Sequence, residues 1–143
     1  MAIGKVNPQF WKGKRVFVTG HTGFKGSWLS LWLQLMGAEV KGFSLTPPTQ
    51  PALFDVAKVG DNMQKIGDIR NLQQLSQSIR AFNPDVLLHL TAQPLVHLSY
   101  KEPVDTYSTN VMGTVNVLAL AFLRRTASLA TALRRLGLLA TRG

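Results

Sequence analysis

Short apolar runs alternate along this chain with amphipathic stretches in which apolar residues recur at helical spacing. The run at residues 16–18 has the length and character of a buried parallel strand, and comparable runs follow it. The pattern predicts four strands, at about 15–18, 39–44, 64–66 and 85–90. It predicts helices at about 23–36 and 72–82, and again from about residue 104.

Strands that alternate with helices through short connections indicate an α/β fold with a doubly wound, Rossmann-like parallel sheet and right-handed crossovers. The expected strand order is 3-2-1-4, and a complete domain of this kind continues to further strands. We therefore expect the sheet to be incomplete after the fourth strand and its following helix. In that fourth strand, Val86, Leu87 and Leu88 are expected to be buried on both faces, and His89 to be a core histidine bonded to backbone.

Turn-forming residues mark the ends of the predicted elements. Gly37 fits the C-terminal cap of the first long helix, and Asn71 fits the N-terminal cap of the second. Asn83 and Pro84 are expected to end that second helix. The proline-rich stretch at 47–51 and the segment 91–103 are expected to be loops.

Three glycines follow the first predicted strand and open the first long helix. Gly20 allows a sharp turn, Gly23 removes a side chain where a pyrophosphate approaches the backbone, and Gly26 lets the helix lie close to the sheet. The free N–H groups at the start of the helix then face the anion. This T-G-x-x-G-x-x-G pattern predicts a dinucleotide site, with a tight turn that binds nothing as the alternative. The other loop residues are His21, Thr22, Phe24 and Lys25.

Ser44 stands where a dinucleotide fold usually has an acid, about twenty residues beyond the glycines. Its hydroxyl can bond the adenosine ribose more weakly than a charged acceptor does, or it can simply cap the strand end. No arginine follows directly to bind a 2′-phosphate. The choice between NAD and NADP stays open, with a preference for NAD.

Further contacts are expected where the later strands end, because open α/β sheets bind ligands at that edge. Asp68 can meet the adenine amino group or bond its own backbone as a turn residue, and Ile69 can cover the adenine ring. Asn110 is expected to orient backbone or water beneath the active site. The remaining expected cofactor contacts are Leu90, Thr91, Ala92 and Gln93, and the candidates for substrate contact are His97 and Tyr100.

Composition narrows the class of protein. A chain of 143 residues with 45% hydrophobic content and a mean hydropathy of +0.08 is long and apolar enough for one globular domain. The absence of cysteine excludes disulfides and thiolate metal sites, and no metal is expected. The apolar run at 117–123 is too short to span a bilayer, so a cytoplasmic protein with no membrane partner is the expectation.

The net charge of +9 invites a nucleic-acid hypothesis, but its distribution argues against one. Five of the sixteen basic residues follow residue 123, where there is no acid, and eleven bases face seven acids before it. The excess therefore belongs mainly to the last twenty residues, 124–143, which contain only Arg, Thr, Ala, Ser, Leu and Gly. We interpret 1–123 as the cofactor-binding part and 124–143 as an atypical basic tail, favouring a truncated or frame-shifted end over a basic amphipathic helix.

Several motifs together resemble the CDP-glucose 4,6-dehydratases, a family of the extended short-chain dehydrogenase/reductase superfamily (NAD-dependent epimerases and dehydratases). The glycine motif alone indicates only the superfamily. The resemblance covers about residues 10–121, roughly the first third of such an enzyme, and Thr91 and His97 depart from the alanine and arginine expected of it. The more specific motifs are G-H-T-G-F-K-G at 20–26, S-L-x-P-P at 44–48 and A-Q-P-L-V at 92–96.

The resemblance implies a reaction in which bound NAD takes hydride from C4 of a CDP-linked glucose. Water then leaves across C5–C6 and the hydride returns to C6. It also implies a nucleotide-sugar substrate and a homo-oligomer for the full-length family, and a role in lipopolysaccharide O-antigen biosynthesis. The Tyr-x-x-x-Lys pair of the superfamily is absent here, since Tyr100 and Tyr107 are followed at that spacing by valines. No catalytic residue is assigned, and a non-enzymatic dinucleotide-binding module is the alternative function.

Overall fold

The computed structural model describes residues 6–60 and 66–123. Its sheet has three parallel strands, β1 (Arg15–Thr19), β2 (Glu39–Phe43) and β3 (Val86–His89), in the order β2-β1-β3. A single parallel bridge joins Ser44 to Ile66 beyond β2. This arrangement agrees with the predicted 3-2-1-4 order, in which β3 is the predicted fourth strand. The predicted strand at 64–66 falls outside the described residues except for Ile66.

Helices and short helical turns connect the strands. They are α1 (Pro8–Trp11), α2 (Phe24–Leu35), α3 (Leu53–Val56), α4 (Leu72–Phe82), α5 (Val96–Lys101) and α6 (Pro103–Tyr107). A π-helical turn, Ser108–Met112, leads from α6 into a helix over residues 113–123. No helix in the described part of the chain is long and apolar enough to cross a membrane.

The predicted helix ends are confirmed by their capping geometry. Gly37 follows α2 with a φ of 81°, and its N–H donates to the Gln34 carbonyl over 2.9 Å. At the start of α4, the Asn71 side chain accepts a hydrogen bond of 3.0 Å from the Gln74 N–H. Asn83 ends α4 in the left-handed conformation, with a φ of 52°. Local residues therefore determine where both long helices stop.

Apolar side chains cover both faces of the sheet, because successive residues of β1 point to opposite sides. Val16 and Val18 pack on one face with Leu33 of α2 and Val40 of β2. Phe17 packs on the other face, in a cluster completed by Phe43, Ile69, Leu75, Ile79 and Val117. The sheet is thus doubly wound, with α2 on one side and α4 and the helix over 113–123 on the other.

Two expectations about this fold are wrong. Val86, Leu87 and Leu88 are only half-buried, because β3 is an outer strand of the described sheet. The segment 91–103 is not all loop, since α5 occupies its second half. There the Ser99 N–H donates to the Leu95 carbonyl over 3.0 Å, and α5 packs against α6. A helix this short gives little periodicity to detect, and its packing against α6 stabilises it.

Candidate functional site

The glycine loop leaves β1 in a turn that glycine alone adopts without strain. Gly20 has a φ of 77°, and its N–H donates to the Phe43 carbonyl over 3.1 Å. A Cβ at Gly20 would lie 2.8 Å from the backbone nitrogen of Thr91, and a Cβ at Gly26 would lie 2.0 Å from the Gly20 carbonyl oxygen. Both glycines are therefore required by the packing of the protein against itself.

Gly23 has a different environment. A Cβ there would meet only the Gly20 carbonyl oxygen, at 3.4 Å, and its backbone φ of −74° suits any residue. Gly23 is also the N-cap of α2, and with no side chain it leaves the N–H groups of the first turn uncapped. The first turn carries Lys25 and no acid, so the positive end of the helix dipole is not offset there. Space and hydrogen-bond donors are thus left for an anionic group.

A pocket of about 350 Å³ opens beside this loop, at the carboxyl edge of the sheet. Its lining includes Gly20, Thr22 and Gly23 of the loop, Ser44 at the end of β2, and residues 90–95 after β3. The pocket therefore brings together the predicted contacts Gly20, Thr22, Gly23, Ser44, Leu90, Thr91, Ala92 and Gln93. The other predicted residues do not line it; they are His21, Phe24, Lys25, Gly26, Asp68, Ile69, His97, Tyr100 and Asn110.

Two hydroxyls meet at the β2 end of the pocket. Thr22 Oγ1 lies 2.8 Å from Ser44 Oγ and 2.9 Å from the Leu45 carbonyl oxygen. Thr22 and Ser44 are both buried, with 7% and 6% of their surface exposed. Ser44 is thus tied directly to the glycine loop.

His21 is buried in the loop and faces the protein interior. Its ring packs edge-on against Phe54, with 5.3 Å between ring centroids, and neither ring nitrogen has a hydrogen-bond partner among the described residues. Burial lowers the pKa of His21 to about 4, with the nearby Phe43 backbone opposing the shift. The ring is therefore neutral at pH 7 and fills space behind the loop.

The turn after Ile66 is organised by Arg70. Its guanidinium bonds Asp68, with 2.6 Å between Nη2 and Oδ2, and also bonds Asp105. Asp68 Oδ1 accepts from the Arg70 N–H over 2.9 Å, which is the turn role left open above. The hydrogen bond from the Arg70 side chain lowers the pKa of Asp68.

The expected role of the Ile69 side chain needs correction. Only 2% of the residue is exposed, and the side chain packs in the core with Phe17, Phe43 and Leu75. A side chain buried under the sheet cannot cover an adenine ring. Ile69 can offer a ligand no more than its backbone.

Asn110 holds the segment that follows β3. Its Oδ1 accepts from the Gln93 N–H over 2.7 Å, and its Nδ2 donates to the Gln93 carbonyl over 3.1 Å. The Gln93 side chain then donates to Thr106 Oγ1 over 3.1 Å. Of the two roles expected for Asn110, the structure supports the one in which it orients backbone.

The expectation that His89 bonds backbone is wrong, because its ring bonds two threonine hydroxyls. Its Nδ1 lies 2.6 Å from Thr19 Oγ1 and its Nε2 lies 3.1 Å from Thr114 Oγ1. Burial lowers the pKa of His89. Sequence reasoning missed Thr19 and Thr114. The β1–β3 register sets Thr19 opposite His89, and no local sequence pattern gives that register.

The two candidates for substrate contact lie on α5. His97 is exposed, and Tyr100 has 82% of its surface exposed. Phe24 and Lys25 on the first turn of α2 are exposed as well. Nothing in the described structure places these four side chains in the pocket.

A doubly wound parallel sheet with a glycine loop between β1 and the start of α2 defines the Rossmann-like class of nucleotide-binding folds. Within that class, the family described as GDP-mannose 4,6 dehydratase matches residues 17–134. The chain belongs to this family. The match runs past residue 123, into the segment that lies outside the described residues.

Similar proteins support the same placement. CDP-glucose 4,6-dehydratase of Salmonella typhimurium is 60% identical over 114 residues, which are 79% of this chain and 32% of that protein. The resemblance predicted from the motifs is thereby confirmed. Two solved UDP-glucose 4-epimerases in complex with NAD are also similar. The Brucella ovis structure has a TM-score of 0.67 and 25% identity, and the match covers 80% of this chain and 34% of that one. The Thermus thermophilus structure has a TM-score of 0.64 and 27% identity, and the match covers 74% of this chain and 33% of that one. The chain spans about a third of the length of these relatives.

Proposed function

We propose that this chain binds NAD in the pocket beside the glycine loop and forms the cofactor-binding part of a CDP-glucose 4,6-dehydratase-type lyase. The observation that carries the proposal is the environment of Gly23. No protein atom requires a glycine there, yet the position lines the pocket at the uncapped start of α2. A glycine that the protein does not need for its own packing is accounted for by a ligand that approaches the backbone.

The pyrophosphate lies against Gly20 and Gly23 in this proposal, where the N–H groups at the start of α2 donate to its oxygens. The adenosine ribose lies at Ser44. The segment 90–93, held by Asn110, forms the wall beside the rest of the cofactor. Lys25 adds positive charge near the pyrophosphate, while His21 and Gly26 act through the shape of the loop.

The substrate is assigned from the similarity to the Salmonella CDP-glucose 4,6-dehydratase. NAD supplies the hydride acceptor when it is bound. This chain's own residues bind the cofactor, orient it and limit its contact with water. His97 and Tyr100 on exposed α5 are proposed to contact the sugar nucleotide.

A second candidate function is a dinucleotide-binding module without turnover, in which these residues, among which no Tyr-x-x-x-Lys occurs, bind the cofactor alone. The two functions differ in what they predict for the sugar nucleotide. A dehydratase part binds CDP-glucose beside NAD, whereas a module that only binds the dinucleotide does not.

Calorimetry with the 143-residue chain tests the proposal. We expect NAD to bind at one site per chain, and CDP-glucose to bind without displacing it. A folded chain that binds no NAD would contradict the proposal. Binding of NAD with no response to CDP-glucose would favour the second function.

A further inference from the structure

The proton of each hydroxyl in the Thr22–Ser44 pair can be assigned from its partners. The Leu45 carbonyl oxygen can only accept, so Thr22, 2.9 Å away, donates its one proton there. Ser44 Oγ lies 2.8 Å from the same Thr22 oxygen, which has no second proton to give. Ser44 is therefore the donor in the Ser44–Thr22 hydrogen bond, and its own proton is held within the protein.

Ser44 consequently offers a ligand only the lone pairs of its oxygen. A ribose 2′-hydroxyl has a proton to donate to them, whereas a 2′-phosphate dianion has none. We infer that the Thr22–Ser44 pair is an acceptor-only site that selects the 2′-hydroxyl of NAD against the 2′-phosphate of NADP. This inference rests on the proposed function, and it assigns the selection to a residue of the glycine loop as well as to Ser44.

Toward a ligand, the pair accepts hydrogen bonds and donates none, as an acid at the end of β2 would. This chain lacks an acid at that position. A carboxylate at that position also presents lone pairs and no proton to the ribose. Ser44 does so without a charge because Thr22 holds its proton. Both residues are more than nine-tenths buried, so water competes little for the same lone pairs.

The charges around the pocket favour the same choice. Among the described lining residues, Arg70 is the one basic side chain, and it is already bonded to Asp68 and Asp105. The guanidinium that would bind a 2′-phosphate is thus already paired with two carboxylates, which repel the phosphate. The described lining therefore presents the 2′-phosphate with no hydrogen-bond donor at Ser44 and with no unpaired cation.

The test compares three ligands on two proteins at pH 8: NAD, NADP, and NAD that lacks the adenosine 2′-hydroxyl, each titrated into the wild-type chain and Ser44→Ala. In the wild type, loss of the ligand hydroxyl should weaken binding by about 2- to 10-fold, the range of one net hydrogen bond. Ser44→Ala should lower the affinity for NAD by a similar factor. In Ser44→Ala the ligand hydroxyl should no longer matter, because its acceptor is gone.

Thr22→Val supplies the second arm. It removes the acceptor for the Ser44 proton, so Ser44 becomes free to donate to a phosphate. The affinity for NADP relative to NAD should rise by about 2- to 10-fold. Thr49→Val, which changes an exposed hydroxyl outside the pocket lining, is the control and should leave all three affinities unchanged. Melting curves establish that each variant folds, and if Thr22→Val does not, the Ser44→Ala comparison alone decides.

Two results would overturn the inference while NAD binding stands. One is a 2′-hydroxyl whose removal costs as much in Ser44→Ala as in the wild type. The other is a wild-type chain that binds NADP as tightly as NAD. A wild-type chain that binds no NAD overturns the proposed function itself, and this inference with it.

Discussion

Gly26 packs directly against Gly20, such that a Cβ on Gly26 would lie 2.0 Å from the Gly20 carbonyl oxygen. Helix α2 therefore starts in contact with the turn that leaves β1. Gly23, between them, lacks any comparable contact. One glycine motif thus contains two residues required for packing and one whose space is left to a ligand, and the variants below separate the two.

Gly23→Val should abolish NAD binding and leave stability within about 0.5–1 kcal/mol of the wild type. The valine side chain fills the space that the pyrophosphate needs, and its Cβ meets backbone only at the Gly20 carbonyl oxygen, at the ordinary contact distance of 3.4 Å. Calorimetry with NAD and denaturant unfolding check the two halves of the prediction. Gly26→Ala is the contrast and should lower the free energy of unfolding by more than about 2 kcal/mol, because its Cβ overlaps backbone. Equal NAD affinity in Gly23→Val and the wild type would contradict the assignment.

Asn110→Ala should lower both stability and NAD affinity. It removes two hydrogen bonds to the Gln93 backbone and leaves a partly buried N–H and carbonyl without partners, at a cost of about 1–3 kcal/mol. Asn110→Asp keeps the acceptor for the Gln93 N–H but sets a carboxylate oxygen against the Gln93 carbonyl, so it should not restore the wild type. Denaturant unfolding and NAD titration are the measurements. Unchanged values in both variants would show that Asn110 does not hold this segment.

The free energy of unfolding should decrease as the pH is lowered from about 6.5 to 4, because of His21. Its pKa is lowered to about 4 in the folded chain, so the unfolded chain binds the proton more readily and protonation favours unfolding. The stabilisation by the neutral His21 ring is essentially complete above pH 6.5. The free energy of unfolding decreases by about 2 kcal/mol between pH 7 and pH 5 as this stabilisation is lost.

Denaturant unfolding of wild type and His21→Leu at pH 7 and pH 5 isolates this contribution, because His89, whose pKa is also lowered, titrates in both proteins. The variant should lose less stability than the wild type between the two pH values. The exposed His97, changed to glutamine, serves as the control. An identical loss in all three proteins would contradict the prediction.

The 143-residue chain should self-associate. No described strand pairs with the outer edge of β3, whose apolar side chains are half-buried. An outer strand of this kind can pair with another chain. Light scattering after gel filtration should give a mass above 15.7 kDa, increasing with concentration. A monodisperse monomer that melts cooperatively is the contrary outcome.

The chain should not convert CDP-glucose at a detectable rate, even with saturating NAD. Oxidation of an alcohol needs a group that takes its proton, and such acid–base groups contribute about 10²–10⁴-fold in rate. Neither Tyr100 nor Tyr107 is followed four residues later by the lysine of the Tyr-x-x-x-Lys pair. The alkaline absorbance of a 4-keto sugar is the readout, with the Salmonella relative as positive control. Turnover would assign Tyr100 or Tyr107 a role in proton transfer.

Elements whose cause is local could be predicted from the sequence alone. Gly37, Asn71 and Asn83 end or begin helices through bonds to residues at most four positions away. The turn at Gly20 likewise follows from the conformation that glycine alone adopts freely. These features were predicted correctly because nearest neighbours along the chain decide them.

Contacts that join distant segments could not be predicted in this way, because they depend on how the strands and helices pack. Thr22 and Ser44 were each predicted in the site, but their hydrogen bond depends on the β1–β2 register, which pairs Thr19 with Phe43. The partners of His89 depend in the same way on how β3 and the helix over 113–123 pack beside β1. Such contacts follow from strand order and register, which no local pattern records. The glycine loop can thus be predicted from the sequence, whereas the direction in which the Ser44 hydroxyl donates its proton is set only in the folded sheet.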